Sequence, residues 1–100
     1  MSVTVVTRWT TPNVDESTKA ARESKAIWMK NGAENFRLSQ VFTGEFTGQW
    51  LVAVTFADMA TYAKSQAAVS GSADMKKVQA SNGKAGAVMQ ERIILIGTDL

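Results

Sequence analysis

An unbroken apolar run, Ile93-Ile94-Leu95-Ile96, closes the last of four β-patterned segments in this 100-residue chain. A strand of that kind has no face that can be left to water, so the sheet it joins needs cover on both sides of it. The other strand segments share the problem in milder form. Residues 2–10 set Val3, Val5, Thr7 and Trp9 against Thr4, Val6, Arg8 and Thr10. Residues 34–43 set Phe36, Leu38, Gln40 and Phe42 against Asn35, Arg37, Ser39 and Val41. Residues 49–56 set Trp50, Val52, Val54 and Phe56 against Leu51, Ala53 and Thr55. Period-two alternation of β-branched and aromatic residues predicts strands in each, with the fourth over 86–96.

Between them lie helical patterns. Pro12 suits the first turn of a helix, Asp15 and Glu16 favour its positive end, and Val14, Thr18, Ala21, Ser24, Ile27 and Trp28 recur at a spacing of three or four. Asn31-Gly32 is a helix stop. The glycine-containing stretch Thr43 to Gly48 turns the second strand back on itself. Asp58 caps a second helix with Met59, Tyr62, Ala63, Gln66 and Val69 on its inner side. Ser70-Gly71-Ser72 interrupts it, and Ser72 can cap a short third helix ending at Asn82-Gly83. The order predicts one α+β domain over residues 1–100: a ferredoxin-like βαββαβ arrangement, with an antiparallel four-stranded sheet and helices on one face. The first and third strands are then central, and the second and fourth are edges.

Composition narrows the chemistry. The chain has no Cys, which excludes disulfides, thiolate catalysis and iron–sulfur clusters. It has no His, which removes the commonest general base and metal ligand. Eleven Lys and Arg against nine Asp and Glu leave a net charge of +2, too small a surplus to imply nucleic acid. Nucleotide-binding glycine loops, the GxSxG elbow, HExxH and EF-hand spacings are absent. No run reaches the roughly 20 apolar residues of a membrane span. The first residues lack the pattern of a secretory leader, so a cytoplasmic setting is expected, with no membrane partner and no metal.

One sheet face covered by helices leaves the other, with Ile93–Ile96 at an edge, to a partner; a second copy is the simplest one. At this point Val5-Val6-Thr7-Arg8-Trp9, and Trp50 to Phe56 followed by Ala57-Asp58-Met59-Ala60-Thr61-Tyr62, resemble segments of the dimeric α+β barrel superfamily. That group includes antibiotic-biosynthesis-type and haem-degrading monooxygenases. The resemblance implies a homodimer whose sheets pack into a barrel, with a ligand cleft between helices and sheet in each subunit. The haem-degrading relatives use an Asn, a Trp and a His that overlay roughly on Thr7, Phe56 and Gln66. All three differ here, and no His is present to ligate haem iron. Cofactor-independent oxygenation, credited to the antibiotic-biosynthesis relatives, needs no such ligand.

The inward positions give a candidate ligand site of Thr7, Trp9, Gln40, Trp50, Phe56, Tyr62 and Gln66, suited to a small aromatic molecule. The same aromatics, with Trp28, are also what a plain hydrophobic core would contain. Thr7 and Tyr62 are candidates for binding a developing oxyanion, and Glu91 is the one carboxylate centred in a strand. Arg8 and Glu91, on neighbouring strands, are expected to form a structural ion pair. Two functions follow: a small-ligand-binding protein with cofactor-independent monooxygenase activity, or a non-catalytic stress-response or assembly protein of the same fold.

Overall fold

The computed structural model describes residues 1–100. The order is β1 (Val3–Thr10), α1 (Val14–Lys30), β2 (Asn35–Gln40), β3 (Trp50–Phe56), α2 (Met59–Ser70), α3 (Ala73–Lys84) and β4 (Val88–Ile96). The strands form one antiparallel sheet in the order β2-β3-β1-β4, so β1 and β3 are central, as the element order predicts. All three helices lie over one face, and the thin axis of the molecule is only 17 Å, the depth of two layers. No helix is long and apolar enough to cross a membrane.

Caps set the helix boundaries. The Glu16 N–H donates to Asn13 Oδ1 at 3.3 Å, so α1 begins after Asn13. Pro12 therefore stands just outside the helix instead of in its first turn. At the other end, the Asn31 and Ala33 N–H groups both donate to the Trp28 carbonyl, with Gly32 at φ +107° making the reversal. Asp58 accepts from the Thr61 N–H at 2.7 Å, and Ser72 accepts from the Met75 N–H at 3.1 Å. The strand β2 stops at Gln40, short of the expected Thr43. Beyond it the Gly48 N–H returns to the Val41 carbonyl at 2.8 Å, closing the loop that carries Phe46.

The inner side of α2 is rotated from the expected one. Ser65 and Val69 are buried with Thr61, Tyr62 and Gln66 half-buried, while Met59 and Ala63 face outward. The cause lies outside the helix: the Ser65 hydroxyl donates to the Asn31 carbonyl at the end of α1 and fixes the roll of α2.

The interior divides in two. Val5, Ala33, Phe36, Val54 and Phe56 form one cluster under α1 and α2. Ala20, Val69, Met75 and Val78 form another between the helices, and Trp28 packs against both. Burial falls along the central strands: Val3 and Phe56, paired at one end, are 1% and 0% exposed, while Trp9 and Trp50, paired at the other, are half-buried.

The Asp58 carboxyl is held below its ordinary range, chiefly by the Thr61 backbone N–H and then by the Thr61 side chain. A depressed carboxylate contributes stability above its unfolded-state pKa and loses it as pH falls through the folded value. Asp58→Ala is therefore expected to lower the urea midpoint at pH 7, and the gap to wild type should narrow on acidification. A gap that stays constant into the acid range would contradict the cap's role.

Candidate functional site

Where burial falls away, the helices stand off the sheet and leave an open cavity of about 390 Å³. Its floor is Val5, Thr7 and Trp9 from β1, Phe36 and Leu38 from β2, and Trp50, Val52, Val54 and Phe56 from β3. The roof is supplied by Thr18, Ala21, Ser24 and Trp28 of α1, Tyr62 and Gln66 of α2, and Gln79 and Asn82 of α3. Strand periodicity explains the floor, since every second residue of β1 and β3 points to the helix side.

The closed end is aromatic. Trp28 meets Phe56 edge to face at 5.7 Å between centroids and 77° between planes, and Tyr62 tilts onto the other side of Phe56 at 5.2 Å. Toward the open end, the Trp9 indole N–H donates to Thr7 Oγ1 at 3.0 Å. That bond uses one acceptor position of the hydroxyl and leaves its proton free to donate elsewhere. Asn82 Oδ1, also on the wall, is buried and meets no donor within the chain. No carboxylate lines the cavity, and the single charged side chain on its walls belongs to Arg92 of β4.

Of the residues expected at the site, Thr7, Trp9, Trp50, Phe56, Tyr62 and Gln66 all line this space. Gln40 does not. It shares their face but sits past the rim, where its amide donates to the Gly48 carbonyl at 3.2 Å. Glu91 lies on the opposite side of the sheet, in a shallower recess with Val6, Arg8, Phe46 and Ile93, so it is no base for this cavity. The expected Arg8–Glu91 ion pair is replaced as well. The two are partners in register, but the Arg8 guanidinium donates to Gln49 Oε1 and stacks over the Phe46 ring at 3.6 Å. A weakly hydrated guanidinium gains from an aromatic face, and the loop after β2 brings Phe46 within reach.

Arg92, Met89 and Asn82 are among the wall residues that the sequence pattern does not place at the site. The register of β4 against β1 shifts between Arg8 and Trp9, leaving Gln90 as an extra residue in a bulge. Arg92 opposite Thr7 and Met89 opposite Trp9 consequently share the helix side although they are three apart. No Gly or Pro marks that bulge in the sequence.

No protein-family profile matches the chain, and no curated protein matches its sequence. Solved structures do match its shape. SnoaB, a cofactor-independent oxygenase from Streptomyces nogalater, superposes with a TM-score of 0.73 at 13% identity, over 99% of this chain and 95% of SnoaB. A protein from Caulobacter crescentus CB15, provisionally assigned as an antibiotic biosynthesis monooxygenase, gives 0.72 at 19% identity, over 98% of this chain and 91% of its own. An uncharacterized NIPSNAP domain protein from Burkholderia xenovorans gives 0.73 at 14%, over 98% and 95%.

Thr7→Val should deprive the Trp9 indole N–H of its acceptor. Its proton resonance is expected to move upfield and exchange faster with water; an unmoved resonance would show that the pair is not formed. The matches extend over nearly the whole chain at low identity, and they show that this protein shares the ferredoxin-like α+β fold of these structures.

Proposed function

We propose that this protein binds a small, planar, electron-rich aromatic molecule between sheet and helices, oxygenates it without a cofactor, and works as a homodimer. One observation carries the reading: an open, mostly apolar cavity with tryptophans at its wide end and a few polar tips on its walls. The likeness in shape to SnoaB supports it.

Trp9 and Trp50 would flank the ring plane. The free proton of Thr7 and the Tyr62 hydroxyl would donate to the substrate oxygen as negative charge grows on it. Asn82 Oδ1 would accept from a hydroxyl elsewhere on the ring. For a phenol with hydrogen at the para carbon, one atom of dioxygen becomes the new carbonyl oxygen and the other leaves as water. All four electrons come from the ring, which ends as a quinone. With no carboxylate on the walls, the phenolic proton leaves through the open mouth to solvent. That shortage favours a second reading, in which the protein holds the ligand without turning it over.

A panel of dihydroxynaphthalenes should quench tryptophan fluorescence saturably, and no quenching across the panel would contradict a ligand role. Oxygen uptake with bound 1,5-dihydroxynaphthalene, whose carbons para to the hydroxyls carry hydrogen, is expected to slow about a hundredfold in Thr7→Val or Tyr62→Phe. Unchanged rates in both would remove those residues from the chemistry, and saturable binding with no uptake would leave the non-catalytic reading.

The homodimer is argued from exposure. Only 12 of 100 residues are buried, and every residue of β4 is exposed, with Ile93 at 45% and Ile96 at 60%. Completing the burial of Ile93 and Leu95, which lie on the uncovered face, is worth about 1 kcal/mol each. The uncovered sheet face, with Val6, Leu51, Ile93 and Leu95, offers the surface. Sedimentation at micromolar concentration should give two copies, and Ile93→Lys with Leu95→Lys should give one. A wild-type monomer under those conditions would contradict the pairing.

A further inference from the structure

We infer that the cavity selects an aromatic oxyanion, a carboxylate or a phenol already ionised, whose charged oxygen pairs with Arg92. The inference rests on the ligand-binding reading above and adds the ligand's charge to it.

The first ground is the inventory of the walls. Apart from Arg92 they carry only apolar side chains, hydroxyls and neutral amides. Arg92 is an exposed charge at the rim of a recess with no carboxylate, so no wall residue offsets it and its field draws anions toward the opening. An ammonium-bearing ligand would meet the same charge as a repulsion, with nothing to offset it.

The second ground is what Arg92 does in the chain. Its one side-chain partner is the Met89 sulfur, 3.7 Å from Nη2. A thioether is a weak acceptor, so most of the guanidinium's five donors are uncommitted. By contrast Arg8, on the other face, is taken up by Gln49 and Phe46.

The third ground is the bulge. Strict alternation along β4 would put Met89 and Arg92 on opposite faces. The extra residue at Gln90 turns both toward the helices, opposite Trp9 and Thr7. Gln90 itself donates to Thr10 Oγ1 at 3.0 Å, which ties the bulge to β1. Bulges commonly re-aim a side chain beside a site, and this one sets Arg92 opposite Thr7 and Met89 opposite Trp9 on the helix-facing side of the sheet. Guanidinium matches an oxyanion with paired N–H donors, which a lysine in the same place would not.

The test measures wild-type and Arg92→Gln protein at neutral pH against two matched probe pairs. These are 2-naphthoate with 2-naphthamide, and 2,4-dinitrophenolate with 2,4-dinitroanisole. Wild type should bind the anion of at least one pair about tenfold more tightly than its neutral partner. Which pair responds tells carboxylate from phenolate. In Arg92→Gln that ratio should fall to about one or two, with the neutral probe's affinity unchanged, and Arg92→Lys should keep part of it. Neutral probes that bind as well as the anions in wild type would overturn the inference while leaving the ligand-binding reading intact. So would an anion preference that survives in Arg92→Gln. Failure of all four probes to bind would bring down both.

Discussion

The contact on which the interior depends is the edge-to-face packing of Trp28 and Phe56. Phe56 is fully buried at the closed end of the central strands, and Trp28 is the side chain shared by the two apolar clusters. The geometry is the T-shaped one that aromatic quadrupoles favour, worth about 0.5–1.5 kcal/mol beyond area burial. Its consequence is spatial. Packing is tight where Val3 pairs with Phe56, and toward Trp9 and Trp50 the helices have no equally large side chain filling the gap. A close-packed interior would tolerate few voids of that size. The opening is thus a product of where the aromatics fall along β1, β3 and α1.

That placement links fold to chemistry. Central strands hold the floor rigidly, because both are paired on either side. The polar tips come from three different elements: Thr7 from β1, Tyr62 from α2 and Asn82 from α3. The charge comes from a fourth place, the exposed edge strand. An edge strand is free to bulge in a way that a central strand is not, since only one neighbour has to follow the change of register. The same edge that leaves apolar surface open can therefore also deliver Arg92 to the cavity mouth.

Much of this was readable from the residues. Alternation in β1 and β3 identified the helix-facing floor, because a period of two leaves no freedom about which residues point together. Asp58, Ser72 and Asn31-Gly32 marked helix boundaries through chemistry that is local to a few residues. What escaped depends on longer-range geometry. The roll of α2 follows from a hydroxyl 34 residues from its acceptor, and no stripe in α2 itself encodes it. Gln40 shares the alternation of Phe36 and Leu38, yet the path of the following loop carries it past the rim and occupies its amide. Arg8 stands opposite Glu91 in register, but a loop aromatic reaches its guanidinium from outside the sheet. The Gln90 bulge, without Gly or Pro to announce it, breaks the period of two in β4, so that Met89 and Arg92 share a face.

The central claim is that the space between Trp28 and the Trp9–Trp50 pair is a binding site on the helix side of the sheet. Chemical-shift mapping with a neutral naphthalene probe, on protein labelled in its indole nitrogens and its valine, leucine and isoleucine methyls, tests it most directly. Saturable shifts are expected at the Trp9 and Trp50 indoles and the Val5 and Val52 methyls, with Val6, Leu51 and Ile93 on the reverse face unmoved. Shifts confined to the reverse face, or none at any concentration the probe's solubility allows, would contradict it.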